Sequence, residues 1–292
     1  DTPAGSAALA IKVSGLKGGH SGIDIHLQRG NAVKILARAL QAAALDKPLL
    51  VASIQSGNKH NAIPREGSAL AVLPGGAADL DAAKRALEAE LAAMRAECRP
   101  AEPGMEYEVK PVDAPARVWD AASTAKAIGL LNALPHGVEK MSYEIKGLVE
   151  TSTNLAVVDE KDGKLEILTS SRSSVASALE ALRRRIQAAA ELAGAEVHQE
   201  ECYPGWQPDV SSKLLGIVKG MHKKVMGKEA EVGAVHAGLD CGIIGEKFPG
   251  MDMNSFGPQI EFPHSPDERV KVDTVGRFYD LLKATLKDLA TG

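Results

Sequence analysis

Ala8-Leu9-Ala10-Ile11-Lys12-Val13-Ser14-Gly15 puts Leu9, Ile11 and Val13 on one face of an extended chain. That period of two marks a strand half buried against a core. The elements after it decide the kind of sheet it joins. Asn31 can cap a helix running to about Leu45, with Val33, Leu36 and Leu40 on one stripe. Two strands are expected next, near 48–56 and 66–73, joined by a loop holding Gly57 and Asn61-Ala62-Ile63-Pro64. Asp79 is read as the cap of a long helix whose Leu80, Leu87, Leu91, Met94 and Cys98 share a face, until Pro100, Pro103 and Gly104 stop it. Met105, Tyr107 and Val109 then alternate with Glu106, Glu108 and Lys110 as a half-exposed strand. The order β-α-β-β-α-β is that of a ferredoxin-like sandwich.

A similar succession recurs. A helix near 120–133 precedes strands near 148–158 and 164–170, then a helix from about Ser174 to Ala193 and a strand near 195–202. This second copy lacks a clear first strand. Tyr203 to Asp209 holds two prolines, a glycine and a tryptophan, and reads as a crossing between domains. Beyond it the pattern predicts a helix near 210–226, strands near 231–236 and 251–256, and a last helix near 271–290. The expectation is therefore an α/β chain with an α+β first domain over residues 1–205 and a second segment over 206–292.

Composition narrows the function classes. Hydrophobic residues make up 45% of the 292, enough for globular cores, but aromatics only 3%, so those cores must be built from Ala, Leu, Val and Ile. A net charge of −4 gives no basic footprint for nucleic acid. Arg183-Arg184-Arg185 and Lys223-Lys224 fall on helical patterns and read as solvated faces. Cys98, Cys202 and Cys241 have no paired spacing, which points to a reducing, cytoplasmic setting. No stretch reaches the roughly 18 apolar residues of a membrane-spanning helix, and the first residues lack the basic region of a signal peptide.

Two histidines stand in unusual surroundings. Phe262-Pro263-His264-Ser265-Pro266-Asp267-Glu268 brackets His264 with prolines, which stiffen the loop as a metal ligand would require. Gly18-Gly19-His20-Ser21-Gly22 sets His20 among glycines, where backbone can approach a ligand closely. Alone, each is weak.

Together with Asn61-Ala62-Ile63-Pro64-Arg65-Glu66, Val149-Glu150-Thr151-Ser152, Tyr203-Pro204-Gly205-Trp206-Gln207-Pro208-Asp209 and His236-Ala237-Gly238-Leu239-Asp240-Cys241-Gly242, these motifs occur in one order. In that order they resemble the aminoacyl-histidine (Xaa-His, β-alanyl-histidine) dipeptidases, cytosolic zinc enzymes of the aminoacylase/carboxypeptidase clan. The resemblance runs from about Leu9 to the last helix. It implies a lid domain, which can dimerise, over residues 1–205, and the C-terminal part of a catalytic domain over 206–292. It implies that His264 is the terminal ligand of one of two zinc ions. It makes His20 the lid histidine that stabilises the tetrahedral oxyanion, in many members across a dimer interface. Asn61 and Arg172 match the pair that binds the substrate's terminal carboxylate, for which a guanidinium fork is suited. Read by itself, Arg172 is equally an ordinary solvated arginine in Ser170-Ser171-Arg172-Ser173-Ser174. Gly238 and Asp240 fall in the clan's glycine-rich substrate loop, although family members often carry Glu where Asp240 stands. His236 reads as a structural histidine or as a substrate contact. Asp267 and Glu268 read as helix-capping or surface residues, or as hydrogen-bond partners behind the metal ligand.

The family's upstream His-x-Asp and Glu-Glu zinc and base motifs have no counterpart before Glu200-Glu201. The chain thus resembles the downstream part of such an enzyme and is expected to be inactive alone. The function expected is zinc-dependent hydrolysis of dipeptides, with no nucleic-acid or membrane partner and a homodimer through the lid. The alternatives are a tripeptidase or carboxypeptidase-like amidohydrolase of the same clan, or a non-catalytic ferredoxin-like module for dimerisation or ligand binding.

Overall fold

A computed structural model describes residues 1–200, 205–206, 209–233, 240–261 and 268–291. The chain divides into two compact units, residues 1–141 with 149–200 and residues 142–148 with 201–292.

In the first unit β1 (Ala7–Ser14) leads through β2 (Gly19–His20) to α1 (Ala32–Asp46), β3 (Leu50–Ser56), β4 (Ala62–Ile63), β5 (Gly67–Leu73), α2 (Ala77–Cys98) and β6 (Glu106–Val112). Next come α3 (Ala121–Ala133), β7 (Gly137–Met141), β8 (Val149–Lys161), β9 (Lys164–Ser173) and α4 (Ala176–Leu192). The main sheet runs β6-β1-β5-β3-β8, with antiparallel pairing throughout. The ferredoxin-like expectation is met in the first six large elements: β1 and β6 are neighbours, and the β3–β5 hairpin lies on the other side of β1. β9 runs along one edge of β8 from Thr151 to Lys161. The other edge of β8 meets β7 near its start and Ser56 of β3 near its end.

The alternation read in residues 8–15 does what it implies. Leu9, Ile11 and Val13 are buried in one cluster with Leu36 and Leu40 of α1, Leu87 and Leu91 of α2, Leu131 of α3 and Leu155 of β8. The largest fully buried side chains include no aromatic residue. A core of this make-up depends on many medium-sized aliphatic chains, each contributing ~1.5–3 kcal/mol when fully buried.

Local signals behave mostly as expected. Asn31 caps α1: its Oδ1 accepts from the amides of Val33 at 2.9 Å and Lys34 at 3.3 Å. Its Nδ2 donates to Leu155 O at 2.9 Å, so one side chain both starts α1 and ties it to β8. Asp120 caps α3 through Ser123 N. Asp79, by contrast, is not the cap of α2. Gly76, at φ 67°, holds that position, and Asp79 lies in the first turn, where a carboxylate suits the helix dipole and also meets Lys47 at 3.3 Å.

The second copy is shorter than expected. Residues 195–200 form no strand; of the expected succession the two helices and the strands β8 and β9 are met, with β7 added between α3 and β8. β7 was not foreseen: Gly137-Val138-Glu139-Lys140-Met141 lacks alternation, yet it completes the edge of β8 that β3 leaves open.

The second unit holds α5 (Lys213–Met226), α6 (Asp240–Lys247), the two-residue strands β10 (Ile260–Glu261) and β11 (Arg269–Val270), and α7 (Val272–Thr291). Ser212 caps α5 and also donates to Asp252, which accepts from Leu214 N as well. The strand expected near 251–256 is absent, and 231–233 is not a strand either. An extended apolar run becomes a strand only when another strand pairs with it, and none does among the described residues. No helix among the described residues is long and apolar enough to cross a membrane.

Candidate functional site

The 17–30 segment after β1 and the loop before β5 are joined by a short antiparallel bridge. Gly19 in β2 faces Ile63 in β4, and His20 faces Ala62. Ser21 N adds a bond to Asn61 O at 2.8 Å. Backbone pairing therefore brings together the two motifs that carry His20 and Asn61.

His20 is held tightly. Its backbone amide donates to Asp24 Oδ2 at 2.8 Å. Its ring Nδ1 accepts from Gly22 N at 3.1 Å and Ile23 N at 3.2 Å. A nitrogen that accepts from two amides carries no proton, so the neutral ring has its proton on Nε2. His20 is thereby set as an Nε2–H donor. Glycine is needed at position 19, where φ is 144° and a Cβ would stand 2.4 Å from Arg29 Nη1.

Arg172 lies in β9 opposite Ser152 of β8. Around it the two strands exchange hydroxyl bonds, Thr151 with Ser173 at 2.8 Å and Thr153 with Ser171 at 2.9 Å. Burial pulls the Arg172 guanidinium below its ordinary pKa, and its Nε is buried without a partner. It remains a cation at neutral pH. A Cβ built on Gly22 would stand 3.1 Å from His20 Cε1 and 3.6 Å from Arg172 Cζ. The imidazole and the guanidinium thus flank one point.

Asn154 of β8 was not singled out from the sequence, where it reads as one more polar residue in a strand. It is buried, and its Nδ2 donates to Ala62 O at 2.8 Å and His60 O at 3.3 Å, on either side of Asn61. It holds the Asn61 loop against β8. Its Oδ1 has no partner, nor has the buried Ser21 Oγ. Among the described residues four buried side-chain polar atoms lack partners, and three of them, on Ser21, Asn154 and Arg172, belong to this group. Such atoms are costly in a folded protein unless a ligand or water meets them. Beside His20 and Asn61 opens a cleft of about 690 Å³, with Lys12, Lys17, Arg65 and Glu66 also on its walls.

The other expected residues belong to the second unit. Asp240 is exposed in the first turn of α6. Gly238, His236, His264 and Asp267 lie outside the described residues. In sequence, His264 falls between β10 and β11. Among the described residues no group of three or more His, Cys, Asp or Glu could hold a metal ion. A zinc site takes three or four ligands, so the described donor set does not fit a complete one.

Residues 11–99 match the peptidase dimerisation domain family. The chain is 36% identical over 98% of its length to the cytosol non-specific dipeptidase of Escherichia coli (strain K12), of which it covers 59%. It aligns with the crystal structure of aminoacylhistidine dipeptidase from Vibrio alginolyticus at a TM-score of 0.90 and 38% identity, covering 98% of this chain and 58% of that one. The chain thus spans under two thirds of the length of these relatives.

Proposed function

From a chain related along nearly its whole length to aminoacylhistidine and cytosol non-specific dipeptidases, we propose a role in hydrolysing unblocked dipeptides of the Xaa-His type. Residues 1–205 act as lid and dimerisation domain, and 206–292 as the C-terminal segment of a catalytic domain. Arg172 and Asn61 bind the substrate's terminal carboxylate. His20 donates from Nε2 to the oxygen of the scissile carbonyl as negative charge develops there. Gly238 and Asp240 line the substrate loop. His264 contributes one ligand to a zinc site whose other ligands, and whose general base, come from outside this chain. The setting is the cytoplasm, and the assembly a homodimer through the lid.

The observation that carries this reading is the polar group around Gly22. The Cε1–Nδ1 edge of an imidazole whose Nδ1 is held by two amides and a partly desolvated guanidinium flank one point, beside buried polar atoms that the chain itself leaves unpaired. An anionic terminus would meet the guanidinium, and a carbonyl the imidazole.

Binding to this chain tests it. Alanyl-histidine should bind better than its C-terminal amide, and Arg172→Ala should remove the difference. A hydrogen bond to a charged group is worth ~1.5–3 kcal/mol, which is roughly 10- to 150-fold in affinity. Lysine at 172 should restore part of it, since an ammonium cannot reproduce the planar fork. Equal losses for acid and amide would mean that Arg172 is structural.

A further inference from the structure

Glu102 lies just beyond α2 in the turn Pro100-Ala101-Glu102-Pro103 and is 1% exposed. In sequence it looks like a solvated turn residue. Its partners are two backbone amides: Oε2 accepts from Lys17 N at 2.8 Å and Oε1 from Gly30 N at 2.9 Å. Burying a carboxylate is expensive unless its oxygens are hydrogen-bonded, and bonds to a charged acceptor are the strong kind. Lys17 and Gly30 are the two ends of the segment that carries His20.

The close approach depends on glycine. A Cβ on Gly30 would stand 3.0 Å from Leu16 Cδ2 and 3.3 Å from Glu102 Cγ. Inside the segment the ties continue inward. Arg29, next to Gly30, donates from Nη1 to Gly18 O and meets Asp24 at 3.4 Å. Asp24 in turn accepts from the amide of His20. A set of polar contacts therefore runs from Glu102 through the segment's ends to the backbone amide of His20, beside the Gly22 and Ile23 amides that hold its ring.

We propose that Glu102 is a positioning residue: by closing the 17–30 segment at both ends, it fixes the tautomer and direction of the His20 ring. Its importance to hydrolysis rests on the reading of His20 as oxyanion donor. Its effect on the ring does not, and can be measured on this chain directly. Were Glu102 only a stability element, its loss would lower the melting temperature and leave the imidazole as it is.

The test is nitrogen-15 NMR of the imidazole together with amide hydrogen exchange, in the wild-type chain and in Glu102→Gln. The substitution keeps the shape but turns one acceptor into a donor facing an N–H. Wild type should show a single Nε2–H tautomer. The variant should show a mixture of tautomers, with exchange at Gly22 and Ile23 faster by about tenfold or more, the loss of one charged hydrogen bond. Amides of β1 and β5 should keep their protection. If Glu102→Gln does not fold, Glu102→Asp serves, because a carboxylate one methylene shorter can satisfy only one of the two amides. A folded variant overturns the proposal if His20 stays in one tautomer, or if Gly22 and Ile23 change only in step with β1. A loosened imidazole would uphold the positioning role even if His20→Ala left dipeptide hydrolysis intact. In that case it is the functional reading that would fail.

Discussion

Gly22 leaves little room between His20 and Arg172. Its backbone is not strained, so an alanine there has no conformational penalty of the left-handed kind. The methyl group would nevertheless press on His20 Cε1 at 3.1 Å, and two amides prevent that ring from turning away. Gly22→Ala should therefore weaken dipeptide binding several-fold while leaving the melting temperature nearly unchanged, as surface substitutions do, within ~0.5 kcal/mol. A calorimetric scan beside a binding isotherm checks both halves. On the proposed reading, His20→Ala in an active dipeptidase containing these residues should lower kcat by roughly 10²–10³-fold, the usual loss for an oxyanion donor. A normal kcat would remove His20 from the mechanism. At this scale motifs singled out His20, Asn61 and Arg172, and the structure sets their segments close together. The sequence was silent on Glu102 and Asn154, because nothing in a buried polar residue's own neighbourhood shows that its partners are backbone groups dozens of residues away.

Between elements, the junction of α1, β7 and β8 carries a pH dependence. His136 precedes β7, and its Nδ1 faces Asn31 Nδ2 at 3.2 Å and Leu155 N at 3.4 Å, both donors. Burial first, and the Lys34 ammonium second, push its pKa down from 6.5 to about 4. Between those two values the unfolded chain binds a proton that the native chain refuses. Stability should thus fall as pH drops from 6.5 to 4, by at most ~1.4 kcal/mol per pH unit from this group. Above that window the term is constant. Urea midpoints for wild type and His136→Asn should diverge through this window and run parallel above about pH 7. Parallel behaviour throughout would mean that the ring protonates freely. Asn31→Ala should cost ~2–4 kcal/mol, a lost cap plus a buried carbonyl of Leu155 left unpaired. The helices and hairpins of the first unit were readable because each carries its own period and its own stop. β7 was not, since its pairing is dictated by an open edge of β8 and not by its own residues. The strands expected in the second unit failed over 231–233 and 251–256 for the complementary reason: apolar residues recur in them, but no described strand pairs with them.

Across the whole molecule the apolar core is divided unequally. Nearly all buried hydrophobic side chains belong to the first unit, and the second supplies only Val218, Met221 and Leu281 among the described residues. Phe248, Val272, Tyr279 and Leu286 of that unit are more than half exposed. A unit with so small a core opens easily. Amides of α5 and α7 should therefore exchange well before those of β1 and β5. The most decisive measurement is one NMR titration of the purified chain with alanyl-histidine in excess zinc, which reads binding and turnover together. On the proposed reading, in which this chain recognises the dipeptide but lacks the full set of zinc ligands, saturable shifts are expected at Gly22 and Ile23 at roughly millimolar peptide, with no release of free histidine. Release of histidine at ~1 per second or faster, or no shift at those amides at any peptide concentration, would contradict that expectation.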